Sequence, residues 1–184
     1  MFTDDVKPLD ILNYLIKYTD DASVLSAQRS KTTVELEMAH VMNWAVENIM
    51  TVNLLKTVEI VFHRPTVSHD LFPSVMLNVG RVAVAKLFGV YLRHDLNFLQ
   101  HVESIVATCN QRLYLLAQLK KQGLGISAIN SVFKAIVLNK ILYPLLIFFG
   151  HLTVGQKHMM QGVLNRASRR GFIPYYYDLE ILAG

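Results

Sequence analysis

The hydrophobic pattern changes period once along the chain, near residue 95, and that change most constrains what it can fold into. Before it, Leu12, Tyr14, Ile16 and Tyr18 are interleaved with Asn13, Lys17 and Thr19. A period of two is that of a strand with one covered face. After it, Phe98, Val102, Ile105, Cys109, Leu113 and Leu116 recur every three or four residues, the spacing of a helix laid along a core. The expected class is therefore α+β. A strand-containing module over 1–95 precedes a helical module over 96–172 and a short tail, 173–184.

Within the first module, "NYLIKYTDDASVL" reads as a hairpin. An alternating strand leads to Asp20 and Asp21 at the tip, and a short β-compatible run follows. An amphipathic helix is expected from about Thr33 to Ile49, with Val34, Met38, Val41, Ala45 and Ile49 on one stripe. "KTVEIVFH" (Lys56 to His63) reads as a strand, and Pro65 and Pro73 bracket a loop. "RVAVAKLFGVYL" (Arg81 to Leu92) is one strand, or a hairpin interrupted at Gly89. Three helices should follow. The first stops near Gly123, and the second runs from about Ser127 to Tyr143, limited by Pro144. The third opens on the capping pattern Thr153-x-x-Gln156 and ends before Gly171.

Hydrophobic residues make up 52% of the chain and charged ones 17%, and the mean hydropathy is +0.31, which excludes a disordered tail. The longest apolar run, Ile141 to Phe149, falls short of the roughly 20 residues of a spanning helix, so no transmembrane segment is expected. The opening residues are acidic and carry Pro8, unlike a signal peptide. Charge is divided unevenly. Residues 1–80 hold 6 Lys and Arg against 10 Asp and Glu, a balance of −4, whereas 81–184 hold 12 against 4, a balance of +8. That order suits metal or turn chemistry first and a polyanion surface second; solvated helix faces would read the same way.

Adjacent carboxylates repel one another, so Asp20-Asp21 needs a turn, a cation or a metal. Asp-Asp can simply shape a turn, and Asp4-Asp5, which no alternating strands flank, is read so. At a rigid hairpin tip the pair has a second use. Two-metal phosphoryl transfer places cations about 4 Å apart on carboxylates, and Mg²⁺ or Mn²⁺ favours such oxygen donors. A zinc site is not expected: His94/His101 and His151/His158 are each seven residues apart, about 10 Å along a helix. Cys109 lies on the apolar stripe and reads as core.

The series of parts resembles the reverse transcriptases of non-LTR retrotransposons, nearest to jockey-like elements. "KYTDDASVL" is similar to their Tyr-x-Asp-Asp catalytic hairpin, with Thr19 where Ala is usual. The helix-then-strand text that follows includes their Asn-x-x-Lys-Thr segment at Asn53 to Thr57. "VAVAKLFGVYL" is similar to the primer-grip strand, and "HVESIVATCNQRLYLLAQLKKQGL" and "RASRRGF" look like the thumb and the segment after it. The resemblance covers roughly residues 1–172. It implies a partial polymerase palm, with catalytic hairpin, helix and antiparallel strands, joined to an all-helical thumb. By the same resemblance Asp20 and Asp21 would be metal-binding catalytic residues, with Lys56 beside the incoming triphosphate. Tyr18, Thr19, Phe88 and Gly89 would lie along the primer. The implied partners are an RNA template, a DNA primer and deoxynucleoside triphosphates. Those polymerases carry another metal-binding Asp on an earlier palm strand, ahead of what Met1 matches. The chain alone is therefore expected to hold Mg²⁺ or Mn²⁺ weakly and to be inactive.

Basic residues of the helical module, among them Arg112, Lys120, Lys121, Lys134, Lys140, Lys157, Arg166, Arg169 and Arg170, could contact phosphates without sequence preference. Tyr114 and Phe133 could add stacking or belong to the core. A different class of function is a non-catalytic, transposon-derived interaction module, self-associating through an uncovered palm face. A minor third is a membrane-surface protein using "PLLIFF". "YYYDLEILAG" lies beyond the resemblance and has no functional reading.

Overall fold

In the computed structural model, which describes residues 6–64, 66–67 and 72–184, the alternating stretch is the first strand of a hairpin. Strand β1 (Tyr14–Tyr18) pairs antiparallel with β2 (Asp21–Leu25), from Tyr14 opposite Leu25 to Tyr18 opposite Asp21. Helix α1 (Val34–Glu47) follows, its N-terminus capped by Thr33, whose side chain accepts from the Leu36 N–H. Lys17 lies 5.9 Å from the Trp44 ring centre, so one face of the hairpin is turned to α1. Asp4, Asp5 and Pro65 lie outside the described residues.

What fixes the hairpin to α1 is a buried carboxylate. Glu37 is 1% exposed and stands on the stripe of Val41 and Ala45, one turn earlier. Its oxygens accept from the N–H groups of Leu9 (3.0 Å) and Asp10 (3.1 Å). They also accept from Asn13 Nδ2 (2.7 Å) and Thr32 Oγ1 (2.8 Å). Asn13 Oδ1 in turn accepts from the Ala27 N–H at 3.0 Å, and Asp10 accepts from the N–H groups of Leu12 and Lys31, both at 2.8 Å. The segments entering and leaving the hairpin are thus tied to one helical residue.

The chain divides into two compact units: Met1–Glu59 with Pro73–Arg81, and Ile60–Phe72 with Val82–Gly184. Each mixes helix with strand, so the α+β class holds for the chain. The division differs from the boundary expected near residue 95, because Val90 belongs to the helical core and Leu92 packs against it. In the first unit the expected strand over Lys56 to His63 shrinks to β3 (Val58–Glu59). It pairs with β4 (Gly80–Arg81) in parallel, not antiparallel as expected, and Arg81 clasps Glu59 at 3.0 Å. A strand forms only as far as a partner runs beside it, and two residues of partner are what Gly80–Arg81 supply. Ile49, placed on the α1 stripe by its spacing, lies beyond the helix end at φ 59 and is exposed.

In the second unit, β5 (Val84–Leu87) and β6 (Val90–Arg93) form a hairpin. Phe88 (φ 47) and Gly89 (φ 83) make its turn, both in the left-handed region that matches strand twist in a two-residue connection. Helix α2 (Leu99–Lys121) buries the expected stripe of Val102, Ile105, Cys109, Leu113 and Leu116. Helix α3 (Ile126–Phe133) does not end at Tyr143. It passes through a π-helical turn over Lys134–Leu138 into α4 (Asn139–Phe148), which carries Pro144 in its interior. Proline costs a helix interior about 3 kcal/mol. Full burial of Ile141, Leu145 and Phe148 returns about 1.5–3 kcal/mol each, so the helix continues. α5 (Val154–Arg169) opens on the expected Thr153–Gln156 capping box. The tail is structural. Ile173 and Leu179 are buried, α6 (Leu179–Ala183) closes the chain, and Gln161 accepts from the Leu179 N–H (2.8 Å) while donating to the Tyr177 carbonyl (2.9 Å).

Burial would raise the Glu37 carboxyl, but donors outweigh it, foremost the Leu9 N–H, and hold it below its ordinary value of 4.5. A depressed folded-state value means stability that is present above the unfolded value and lost as pH falls. Amide-exchange protection across α1 should therefore be level above about pH 5 and decline below it. Glu37→Gln should cost about 3 kcal/mol by the same measurement at neutral pH.

Candidate metal and nucleic-acid site

Because Tyr18 pairs with Asp21, the connection between β1 and β2 is only two residues, Thr19 and Asp20. A link that short must take a primed turn if the strands are to keep their twist. Thr19 accordingly has φ 54, a left-handed backbone that a β-branched side chain adopts only under strain. The tip is thus sharp and over-determined by the ladder beneath it. Asp20 and Asp21 are both exposed. Asp21 shares a face with its cross-strand neighbour Tyr18, and Tyr14, Ile16, Ser23 and Leu25 continue that face. The opposite face carries Leu15, Lys17, Ala22 and Val24.

Two adjacent, water-facing carboxylates on a strained turn are hard oxygen donors of the kind that Mg²⁺ and Mn²⁺ take, with coordination sites left for water and substrate phosphates. Among the described residues no group of three or more His, Cys, Asp or Glu side chains is placed to hold a metal ion. Lys56 occupies a turn of its own after α1 and is exposed. Asn53 builds that turn: its carbonyl accepts from the Thr57 hydroxyl (2.9 Å) and N–H (3.1 Å), and its side-chain oxygen from the Lys56 N–H (3.3 Å). The spacing of Asn53, Lys56 and Thr57 is thereby explained as local turn chemistry.

The remaining candidate residues belong to the second unit. Phe88 and Gly89 form the β5–β6 turn, and the Phe88 carbonyl accepts from the Tyr143 hydroxyl at 3.2 Å. Four of the basic residues are engaged within the fold, three of them with backbone. Arg112 donates to the Ile136 carbonyl in the π-turn. Lys120 donates to the Arg170 carbonyl at 2.8 Å, closing the C-terminus of α5. Arg166 Nε donates to Asn110 Oδ1 at 3.1 Å and Arg170 to the Leu113 carbonyl at 3.5 Å, both linking α5 to α2. Lys120, Lys121, Arg166 and Arg169 all stand in last helical turns, where cations meet the negative end of the helix dipole. Lys121, Arg169 and Arg170 remain exposed. Phe133 is fully buried, which assigns it to the core, whereas Tyr114 is exposed.

Cys109 is fully buried, and burial pushes its thiol up to about 11, an inert sulfhydryl at neutral pH. His94 stacks on His63 with ring centres 4.5 Å apart and planes 15° off parallel. His101 is buried edge-on to Phe148. Burial, then the charges of Lys140 and Lys86, lower it to about 4, so it is neutral in the fold. The residue that sequence reasoning missed is Glu37, although an acid one turn before Val41 and two before Ala45, in phase with an apolar stripe, was its visible sign. Compared with known proteins, the chain matches no family model, no curated protein and no solved structure.

Replacing Thr19 by Gly removes the left-handed penalty at the tip. It should stabilise the hairpin by about 1 kcal/mol, read as slower exchange of the cross-strand amides between Ile16 and Ser23. Faster exchange would show that φ at Thr19 is not the constraint.

Proposed function

We propose that the chain is a partial palm and a thumb of a non-LTR retrotransposon reverse transcriptase, an RNA-directed DNA polymerase. The parent reaction adds deoxynucleotides to a DNA 3′ end on an RNA template. The observation carrying this reading is the hairpin tip. A two-residue turn holds Asp20 and Asp21 side by side in water, one strand-step from an exposed Tyr18, in the order of parts that the resemblance requires. Asp20 and Asp21 would hold Mg²⁺ or Mn²⁺, which when bound neutralise charge on the attacking hydroxyl and the departing pyrophosphate. Lys56 would meet the triphosphate as a point charge. Two carboxylates make a sparse donor set, so the chain by itself is read as a weak metal binder without polymerase activity.

Titrating Mn²⁺ into isotope-labelled protein should broaden the amide signals of Tyr18 to Ala22 first, and Mg²⁺ should reverse it. Asp20→Asn combined with Asp21→Asn should abolish the effect. Broadening that ignores both substitutions would sink the metal assignment. Primer extension on an RNA template should stay at background; extension that Asp20→Asn abolishes would overturn the inactivity.

One observation favours a second reading, a non-catalytic transposon-derived module that associates with itself. Tyr14, Ile16 and Leu25 lie on one face of the β1–β2 hairpin and all three are exposed, an exposed apolar stretch of sheet. Sedimentation should then show concentration-dependent association that Ile16→Lys weakens. Sedimentation as a monomer at every concentration would exclude it.

A further inference from the structure

We propose that the outer ridge of α4 docks on an anionic lipid bilayer. Tyr143, Leu146 and Ile147 follow one another at helical spacing and are 62%, 75% and 66% exposed, while Ile141, Leu145 and Phe148 on the other side of the same helix are fully buried. The Tyr143 hydroxyl bonds to the Phe88 carbonyl at 3.2 Å, which brings the β5–β6 turn, and a Phe88 side chain that is 37% exposed, against one end of the ridge. Four large apolar side chains therefore share one surface of the second unit.

Cations border it. Lys140 precedes Tyr143 by three residues on α4, and Lys86 precedes Phe88 by two. The Lys86 ammonium stands over the Tyr91 ring, 5.5 Å from its centre. The balance over residues 81–184 is 12 basic against 4 acidic side chains. Three of those acids are engaged: Asp95 with Arg93 at 2.8 Å, Glu180 with Lys157 at 3.2 Å, and Asp178 with the N–H groups that open α6. The balance of this half is positive, and Lys140, one turn before Tyr143 on α4, is a cation of the sign that complements the phosphates of an anionic leaflet.

Leucine and isoleucine neither stack on bases nor hydrogen-bond to them. Their gain comes from leaving water, which an acyl layer provides and a nucleic-acid backbone does not. The helical stretch Ile126–His151 is 26 residues long with a mean hydropathy of 1.8 in its most apolar window, so by length and composition it is able to cross a bilayer. Its inner face is packed on α2 and α6 in this fold, and what it offers to lipid is the ridge.

Flotation of the full chain with phosphatidylcholine vesicles, with and without phosphatidylserine, tests this. The protein should rise with the anionic vesicles and stay below with the neutral ones. Leu146→Ser with Ile147→Ser should lower the bound fraction about tenfold. Lys86→Gln with Lys140→Gln should lower it comparably, and this pair decides the matter if the ridge variant melts early. Absence of flotation, or flotation that neither pair changes, would overturn the proposal. So would a loss of duplex-DNA binding in the ridge variant while flotation persists, which would make the ridge a nucleic-acid surface.

Discussion

The carboxylate of Glu37 is the point on which the first unit depends. A buried charge is tolerated only when donors surround it, and here the donors come from both ends of the hairpin: Leu9, Asp10 and Asn13 on the way in, Thr32 on the way out. The requirement of one side chain for hydrogen bonds thus does what a hydrophobic core does elsewhere, bringing together segments more than twenty residues apart. It also explains how an isolated pair of strands, marginal by itself in water, presents a strained tip. The base is fixed, so the turn at Thr19 bears the distortion.

Features set by local chemistry were legible in the sequence. Alternation from Tyr14 to Tyr18 with a following Asp pair gave the hairpin and its tip, the Val102–Leu116 stripe gave the buried side of α2, and Thr153 with Gln156 gave the start of α5. Features set by distant partners were not. The run from Lys56 to His63 has strand composition throughout, but β-propensity expresses fit to a neighbouring surface, and the neighbour is two residues long. Pro144 looked like a stop because proline usually is one; the core beneath α4 decides otherwise. The basic residues of the second half read as a polyanion surface, yet Arg112, Lys120, Arg166 and Arg170 each make a bond to helix carbonyls or to an adjacent helix. Charge count does not distinguish a cation that holds helices together from one that meets a phosphate.

The candidate site inherits the same division. Asp20 and Asp21 were visible because a turn needs little beyond its own residues. The support beneath them was hidden in Glu37, an acid that looks like any other on an amphipathic helix until its phase against Val41 and Ala45 is counted. Lys56 shows the converse: the spacing from Asn53 to Thr57 that resembles a polymerase motif is also a self-contained hydrogen-bonded turn. Motif and local geometry coincide there.

The π-turn at Lys134–Leu138 acts as a phase shifter. One surplus residue in a helical turn rotates everything after it by about 100° relative to everything before. With it, Ile129 and Phe133 on one side of the bulge and Ile141, Leu145 and Phe148 on the other all reach the same core. The bulge also exposes backbone oxygens that α2 answers, through Arg112 to Ile136 and Cys109 to Val137. Deleting one residue here would let the turn close to a regular α-helix, and because the lost residue and the lost bulge cancel, Ile141, Leu145 and Phe148 would still face the core. What would be forfeited is the pair of widened carbonyls that Arg112 and Cys109 answer, the stitch between the two helices.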